Sequence, residues 1–106
     1  MAGEASANAD RALLVRLVLG RGPAESSLDE LQRLAQSAGL TVVGWMEGRR
    51  ERPDPATFLG SGKVEEVAAR VQAEAIGLVI VDDELSPVQE RNLEQRINCP
   101  NGYLIA

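Results

Sequence analysis

Arg11-Ala12-Leu13-Leu14-Val15-Arg16-Leu17-Val18-Leu19 is a nearly unbroken aliphatic run that stops at Gly20-Arg21-Gly22-Pro23. A short apolar run bounded by Gly and Pro is the pattern of a strand covered on both faces, as in a parallel sheet. Outward from it the signals alternate. Ser27-Leu28-Asp29-Glu30 has the spacing of a capping box, and Leu28, Leu31, Leu34, Ala35 and Ala38 share one helical face. Gly39 supplies the left-handed residue that ends such a helix. Leu40 to Met46 reads as a second strand. Ser61-Gly62 opens a second helix with the stripe Val64, Val67, Ala68, Val71 and Ala75, and with Gly77 at its end. Leu78-Val79-Ile80-Val81 is a third strand and Asp82 to Leu85 a turn. Ser86-Pro87-Val88-Gln89 then gives a cap, a proline at the first helical position and a Gln at the third, opening a helix to about Arg96. Tyr103-Leu104-Ile105 reads as a short fourth strand.

The order β-α-β-loop-α-β-α-β predicts an α/β fold, a small parallel sheet of about four strands with helices on both faces. Working residues of such sheets gather at the carboxyl ends of the strands. Residues 11–106 are expected to form one domain and residues 1–10, small and acidic, a disordered tail.

Composition narrows the chemistry. The 106 residues include no histidine and one cysteine, Cys99. An imidazole base, a His-ligated metal and a Ser-His-Asp triad are therefore excluded, and Cys99 alone makes neither an internal disulfide nor a multi-cysteine zinc site. The lone thiol, read as a packing or surface residue, suits a reducing, cytoplasmic setting. Trp45, Phe58 and Tyr103 are the whole aromatic content, so the core is aliphatic and stacking platforms for single-stranded nucleic acid are scarce. Trp45 is read as core or strand rim. No apolar run approaches the ~20 residues that span a bilayer.

Net charge is −5, from 11 basic and 16 acidic residues, the reverse of a general nucleic-acid binder. The charge is unevenly placed. Between positions 48 and 63, Arg49, Arg50, Arg52 and Lys63 face only Glu51 and Asp54, a net of +2 that leaves −7 for the remainder. Gly48 to Ala56 also holds Pro53 and Pro55, so it is expected as an exposed loop outside sheet and helix. Arginine forks suit phosphates, and prolines lower the entropy lost on docking; a solvated loop with internal Arg-Asp pairs reads the same composition equally well.

Gly60-Ser61-Gly62-Lys63 invites a phosphate-loop reading, but a Walker A motif needs Gly where Thr57 stands and Ser or Thr where Val64 stands. What survives is a Gly-Ser helix start, or a helix N-terminus that meets a phosphate of RNA or of a nucleotide without catalysis. Asp82-Asp83-Glu84 offers paired carboxylates for a metal or for acid-base work; the preferred reading is an acidic turn favoured by the following helix dipole.

Two long segments resemble one family. Arg50-Glu51-Arg52-Pro53-Asp54-Pro55-Ala56-Thr57-Phe58-Leu59-Gly60-Ser61-Gly62-Lys63 is similar to a signature of the HflX GTPases, and Asp82-Asp83-Glu84-Leu85-Ser86-Pro87-Val88-Gln89-Glu90-Arg91-Asn92-Leu93-Glu94 to a second, in the family's order and separation. The likeness runs from about Arg11 to Cys99. It implies a parallel α/β N-terminal domain that precedes a helical segment and a GTPase domain, in proteins that bind the large ribosomal subunit and split ribosomes. By that resemblance large-subunit RNA is the partner of the loop Arg49, Arg50, Arg52, Pro53, Asp54 and Pro55, with Gly60, Ser61, Gly62 and Lys63 beside it as possible phosphate or nucleotide contacts. Its own GTPase domain would be a second partner. No catalytic residue or metal is expected here, since GTP and magnesium belong to the GTPase domain, whose motifs the sequence lacks; ATP binding is a weaker implication.

The resemblance has a departure. Asn98-Cys99-Pro100-Asn101-Gly102 stands where the family reads a strand with Asp-Arg-Thr, so the chain is expected to be a fragment or a stand-alone relative. Alternatives kept open are an ATP-binding domain and a protein-interaction domain, the latter a homodimer joined through an unpaired strand edge.

Overall fold

The computed structural model describes residues 10–20, 27–97 and 103–105, the last three and 27–28 by backbone alone. The expected acidic tail at 1–9, the turn at 21–24, the side chains of the Ser27 capping box, Leu28, Cys99 and the Pro100-Asn101-Gly102 turn lie outside the described residues. The elements are β1 (Arg11–Leu19), α1 (Ser27–Ser37), β2 (Thr41–Arg50), α2 (Ser61–Ala73), β3 (Leu78–Val81), α3 (Pro87–Ile97) and β4 (Tyr103–Ile105). The four strands form one parallel sheet in the order β2-β1-β3-β4, as the alternation implies.

β1 is the central strand, and its residues from Ala12 to Val18 are all buried. Leu13, Val15 and Leu17 pack with Val64, Val67 and Val71 of α2, with Leu93 and Ile97 of α3, and with Val79 and Val81 of β3. Ala12 and Leu14 pack with Leu31 and Ala35 of α1 and with Leu78 and Ile80. Helices therefore cover both faces, two on one side and α1 on the other. Each buried aliphatic side chain stabilises the fold by about 1.5–3 kcal/mol relative to exposure, and the two-residue period of the strand sends alternate residues of β1 into the two cores; Arg16, in phase with Leu14, is buried as well.

The register of β1 on β2 slips between Ala12↔Val42 and Leu13↔Gly44, leaving Val43 as the extra residue of a bulge. The bulge resets the phase of β2. Val43 and Met46 both meet the α2–α3 core, while Val42 joins the α1 side. Beyond it Gly44, Met46, Gly48 and Arg50 alternate toward α2.

Several sequence expectations need correction. β2 does not end at Met46 but continues to Arg50, paired through Leu17↔Gly48, Val18↔Arg49 and Leu19↔Arg50, so the loop is shorter than Gly48 to Ala56. The charged pair is admitted because β2 is an edge strand, with solvent beside it. Trp45 lies on that edge, 55% exposed, at the rim and not in the core, whereas Phe58 is buried. Leu34, Ala38 and Ala75 are exposed, so the apolar stripes of α1 and α2 are narrower than their periodicity suggests. Gly39 does take the left-handed conformation after α1, but after α2 that conformation falls on Ala75 (φ 52°) and not on Gly77. Glu74 is the cap of α2. The Arg11 guanidinium donates twice to the Glu74 carbonyl, at 3.0 and 2.7 Å, placing a cation on the negative end of the helix.

Candidate anion-binding cleft

After β2 the chain makes a tight, stapled excursion. Asp54 and Phe58 form a small antiparallel bridge, with Asp54 N donating to the Phe58 carbonyl at 3.0 Å and Phe58 N to the Asp54 carbonyl at 2.8 Å. Within it the Asp54 carboxylate accepts from the backbone N–H of Ala56 (2.7 Å) and of Thr57 (2.9 Å). Those two N–H groups, Thr57 first, hold the Asp54 carboxyl below the usual carboxylate range, with Arg50 adding a smaller push in the same direction. Phe58 takes a left-handed backbone (φ 68°), uncommon for a residue with a side chain, and buries its ring.

Gly60 follows at φ 90°, ψ 147°, a conformation nearly restricted to glycine. Its N–H donates to Thr57 Oγ1 (3.1 Å), and its carbonyl accepts from Val64 N to start α2. No side chain caps that helix and no acidic residue sits in its first turn, so its N-terminal dipole is uncompensated from within.

Here the two sequence features converge. Gly48, Arg49, Arg50, Asp54, Leu59, Gly60, Ser61, Gly62 and Lys63 line one open cleft of about 330 Å³ at the carboxyl end of β2. It lies over the outer edge of the sheet, at a strand end as the fold rule expects. Two cations, Arg50 and Lys63, and a helix N-terminus face one carboxylate, with Arg49 at the rim on the opposite phase of β2. Arg49 Nη1 donates to the Gly20 carbonyl at 3.0 Å, tying the ends of β1 and β2 together. Arg50 Nε donates to the Arg52 carbonyl at 3.1 Å, and its Nη2 stands 4.0 Å from Asp54 Oδ2. Lys63 Nζ pairs with Glu66 at 3.2 Å, an exposed partner that holds it weakly. Arg52 and Pro55 are exposed and Pro53 half-buried, and none of the three lines the cleft.

Four further residues, given no site role by sequence reasoning, shape this edge of the molecule. The Lys63 stem packs over Gly48, at an ordinary contact distance of 3.5 Å from where a Cβ would stand, and Gly44 leaves room for the Arg70 guanidinium. Gln89 and Asn92 of α3 donate to the carbonyls of Asp54 (2.7 Å) and Ala56 (2.8 Å). The visible signal for the first two was the Gly-x-x-x-Gly spacing in a strand. Gln89 was read only as a cap, which it also is: Ser86 N donates to Gln89 Oε1 (2.9 Å) and Gln89 N to Ser86 Oγ (3.2 Å).

Asp83 Oδ1 accepts from Glu84 N at 2.7 Å, a local turn contact. Among the described residues no three His, Cys, Asp or Glu side chains are grouped to hold a metal ion, and no helix is long and apolar enough to cross a membrane.

The family model described as GTP-binding GTPase N-terminal matches residues 25–100. The chain is 46% identical over 87 residues to the GTPase HflX of Lacrimispora saccharolytica, covering 80% of this chain and 20% of that protein. It is 44% identical over 72 residues to that of Flavobacterium psychrophilum (68% and 17%) and 37% identical over 90 residues to that of Escherichia coli (85% and 21%). The chain thus spans about a fifth of the length of these curated relatives. The crystal structure of a variant of the protein SsGBP shares the fold, with a TM-score of 0.61 at 14% identity over 89% of this chain and 28% of that one.

Proposed function

This chain belongs to the GTP-binding GTPase N-terminal family, as the N-terminal domain carried by HflX GTPases, and from that membership we propose that it is a docking module for the RNA of the large ribosomal subunit. The observation that supports this reading is the cleft itself. Arg49, Arg50 and Lys63 line it together with the uncapped start of α2, on a chain whose net charge is −5. Backbone phosphates supply most of the affinity for a nucleic acid and make it salt-dependent. An acidic body is repelled from bulk RNA while the cleft and the adjacent Arg52 admit a phosphate-lined feature of matching shape. In this reading the chain performs no hydrolysis. GTP turnover is the task of the GTPase domain that HflX relatives carry, and the module works where ribosomes are, in the cytoplasm.

Co-sedimentation of the purified chain with large ribosomal subunits across a potassium chloride series tests it. The unmodified chain should pellet with the subunits and release as salt rises. Arg49→Ala, Arg50→Ala and Lys63→Met combined should abolish pelleting. Equal retention of the two proteins rejects the reading.

A second reading rests on the same cleft, whose Gly60 to Lys63 wall would face the phosphates of ATP. Calorimetry separates the two: binding heat with ATP that disappears in Lys63→Ala supports a nucleotide site, and no heat with the unmodified chain removes it.

A further inference from the structure

Gln89 occupies the third helical position of α3, where Glu and Gln cap a Ser N-cap equally well. Its carbonyl oxygen performs that duty on Ser86 N at 2.9 Å. Its nitrogen, however, reaches out of the helix to the Asp54 carbonyl at 2.7 Å, and the side chain is buried. A glutamate at this place would cap α3 and have no hydrogen to give. One helical turn on, Asn92 Nδ2 donates to the Ala56 carbonyl at 2.8 Å. Residues three apart on a helix are neighbours on one face, and the two amides meet two carbonyls spaced two residues apart in the loop.

The Asp54 carbonyl thereby takes two donors, Phe58 N and Gln89 Nε2. Its carboxylate takes two more, from Ala56 and Thr57. A left-handed Phe58 persists only where its surroundings over-determine it, and these bonds do so. Directly after Phe58 come Leu59 and Gly60, the wall of the cleft opposite Arg50.

We propose that Gln89, with Asn92 beside it, is a positioning residue for the cleft: α3 grips the 54–58 turn from behind and fixes the shape in which Arg49, Arg50 and the start of α2 are presented to phosphate. The proposal rests on the docking reading for its purpose and on the free protein for its geometry. Preorganised loops bind more tightly because less ordering entropy is lost on contact. Gln89 touches no ligand in this scheme, so its loss changes affinity without changing the number of phosphates neutralised.

The discriminating variant is Gln89→Glu, which keeps the cap and removes the donor. Amide hydrogen exchange of the free chain is read first. Loss of one buried hydrogen bond should speed exchange at Phe58 roughly tenfold, with Ala56 and Thr57 following, while amides of β3 stay as slow as before. Asn92→Ala should act in the same direction, and Gln89→Ala should add fraying of α3. Unchanged exchange at Phe58 in Gln89→Glu, or equal acceleration across β3, overturns the proposal. Large-subunit binding is read second. Gln89→Glu should weaken it several-fold with the slope of log affinity against log salt unchanged, whereas Arg50→Ala lowers that slope. Unaltered affinity, or a lowered slope, assigns Gln89 a merely structural or a direct role and overturns it. If the unmodified chain fails to bind subunits, the docking reading falls, and the exchange data still decide whether Gln89 shapes the turn.

Discussion

Gln89 Nε2 donates to the Asp54 carbonyl at 2.7 Å across a sequence separation of 35 residues. The bond joins the two segments by which the chain resembles its family, the arginine-proline stretch and the Ser86-Pro87-Val88-Gln89 helix start. In this chain the contact couples them physically: one segment shapes a turn and the other holds it.

Asp54 should make that turn pH-dependent. Its carboxyl titrates below the usual range because its ionised form accepts from Thr57 and Ala56 N–H. Stabilisation of the turn is therefore complete above the unfolded-state value of about 4 and is lost as pH falls through the lower folded value. The Ala56 and Thr57 amide resonances followed from pH 6 downward should move together, with a midpoint below that of a free aspartate. In Asp54→Asn, which keeps an acceptor oxygen and does not titrate, both should stay flat. A midpoint at or above the ordinary value would contradict the hydrogen-bonded geometry.

Gly60 is predicted to be intolerant of any side chain. Its φ of 90° strains an L-residue, and an added Cβ would approach Arg50 Nη1 to 2.5 Å. The guanidinium is the end of a flexible chain and can swing aside, so the backbone sets the energetic cost, about 1–3 kcal/mol. Gly60→Ala should lower stability to urea by that amount and displace Arg50 from the cleft. Gly62→Ala, in the first turn of α2, is the control, since a Cβ there meets nothing within 4 Å; it should change stability by less than about 1 kcal/mol.

The architecture was legible because β1 and β3 are nearly unbroken aliphatic runs and because the starts of α1 and α3 carry cap signals in the sequence; burial on both faces leaves no other place for Leu13, Leu14, Val79 or Ile80. The end of β2 was not legible. Gly48-Arg49-Arg50 looks like loop by composition, and only the edge position of the strand makes charged residues compatible with pairing. The cleft was half legible. Arg49, Arg50 and Lys63 stood out as a basic excess, but bringing Arg50 and Lys63 to one cleft depends on the Val43 bulge that turns Arg50 toward α2 and on the 54–58 turn that leads into that helix. Each of those acts through three-dimensional register, which a pattern of residue types does not encode.

Arg70 is predicted to guard the edge of the sheet. Its Nη1 donates to the Trp45 carbonyl at 3.2 Å while its Nε is held by Glu74 at 2.7 Å, and Gly44 gives it room. The contact covers part of an edge that otherwise offers unpaired backbone groups beside an exposed Trp45. Arg70→Ala should raise self-association, read as a concentration-dependent increase in sedimentation coefficient. Stability of the monomer should fall by no more than about 1 kcal/mol, the range of partly exposed ion pairs. Identical sedimentation of variant and unmodified chain would show that the edge is guarded by other means.

Lys63 is the sole lysine of the sequence, which makes its role separable from every other cation. Its stem packs over Gly48 and its amine reaches the cleft, where among the described residues it pairs with exposed Glu66 at 3.2 Å. Packing and charge therefore come apart on substitution. Lys63→Met keeps the apolar stem and removes the charge; Lys63→Ala removes both. If the amine meets phosphate, the methionine variant should match the unmodified chain in stability within about 0.5 kcal/mol and lose close to one unit from the salt slope of subunit binding. The alanine variant should lose the same slope and some stability as well. Chemical acetylation gives an independent reading, because the N-terminus is the only other amine. Large ribosomal subunits should protect Lys63 from the reagent and leave the N-terminal amine reactive. Equal acetylation of Lys63 with and without subunits, at concentrations where the chain pellets with them, would place the RNA contact elsewhere on the surface.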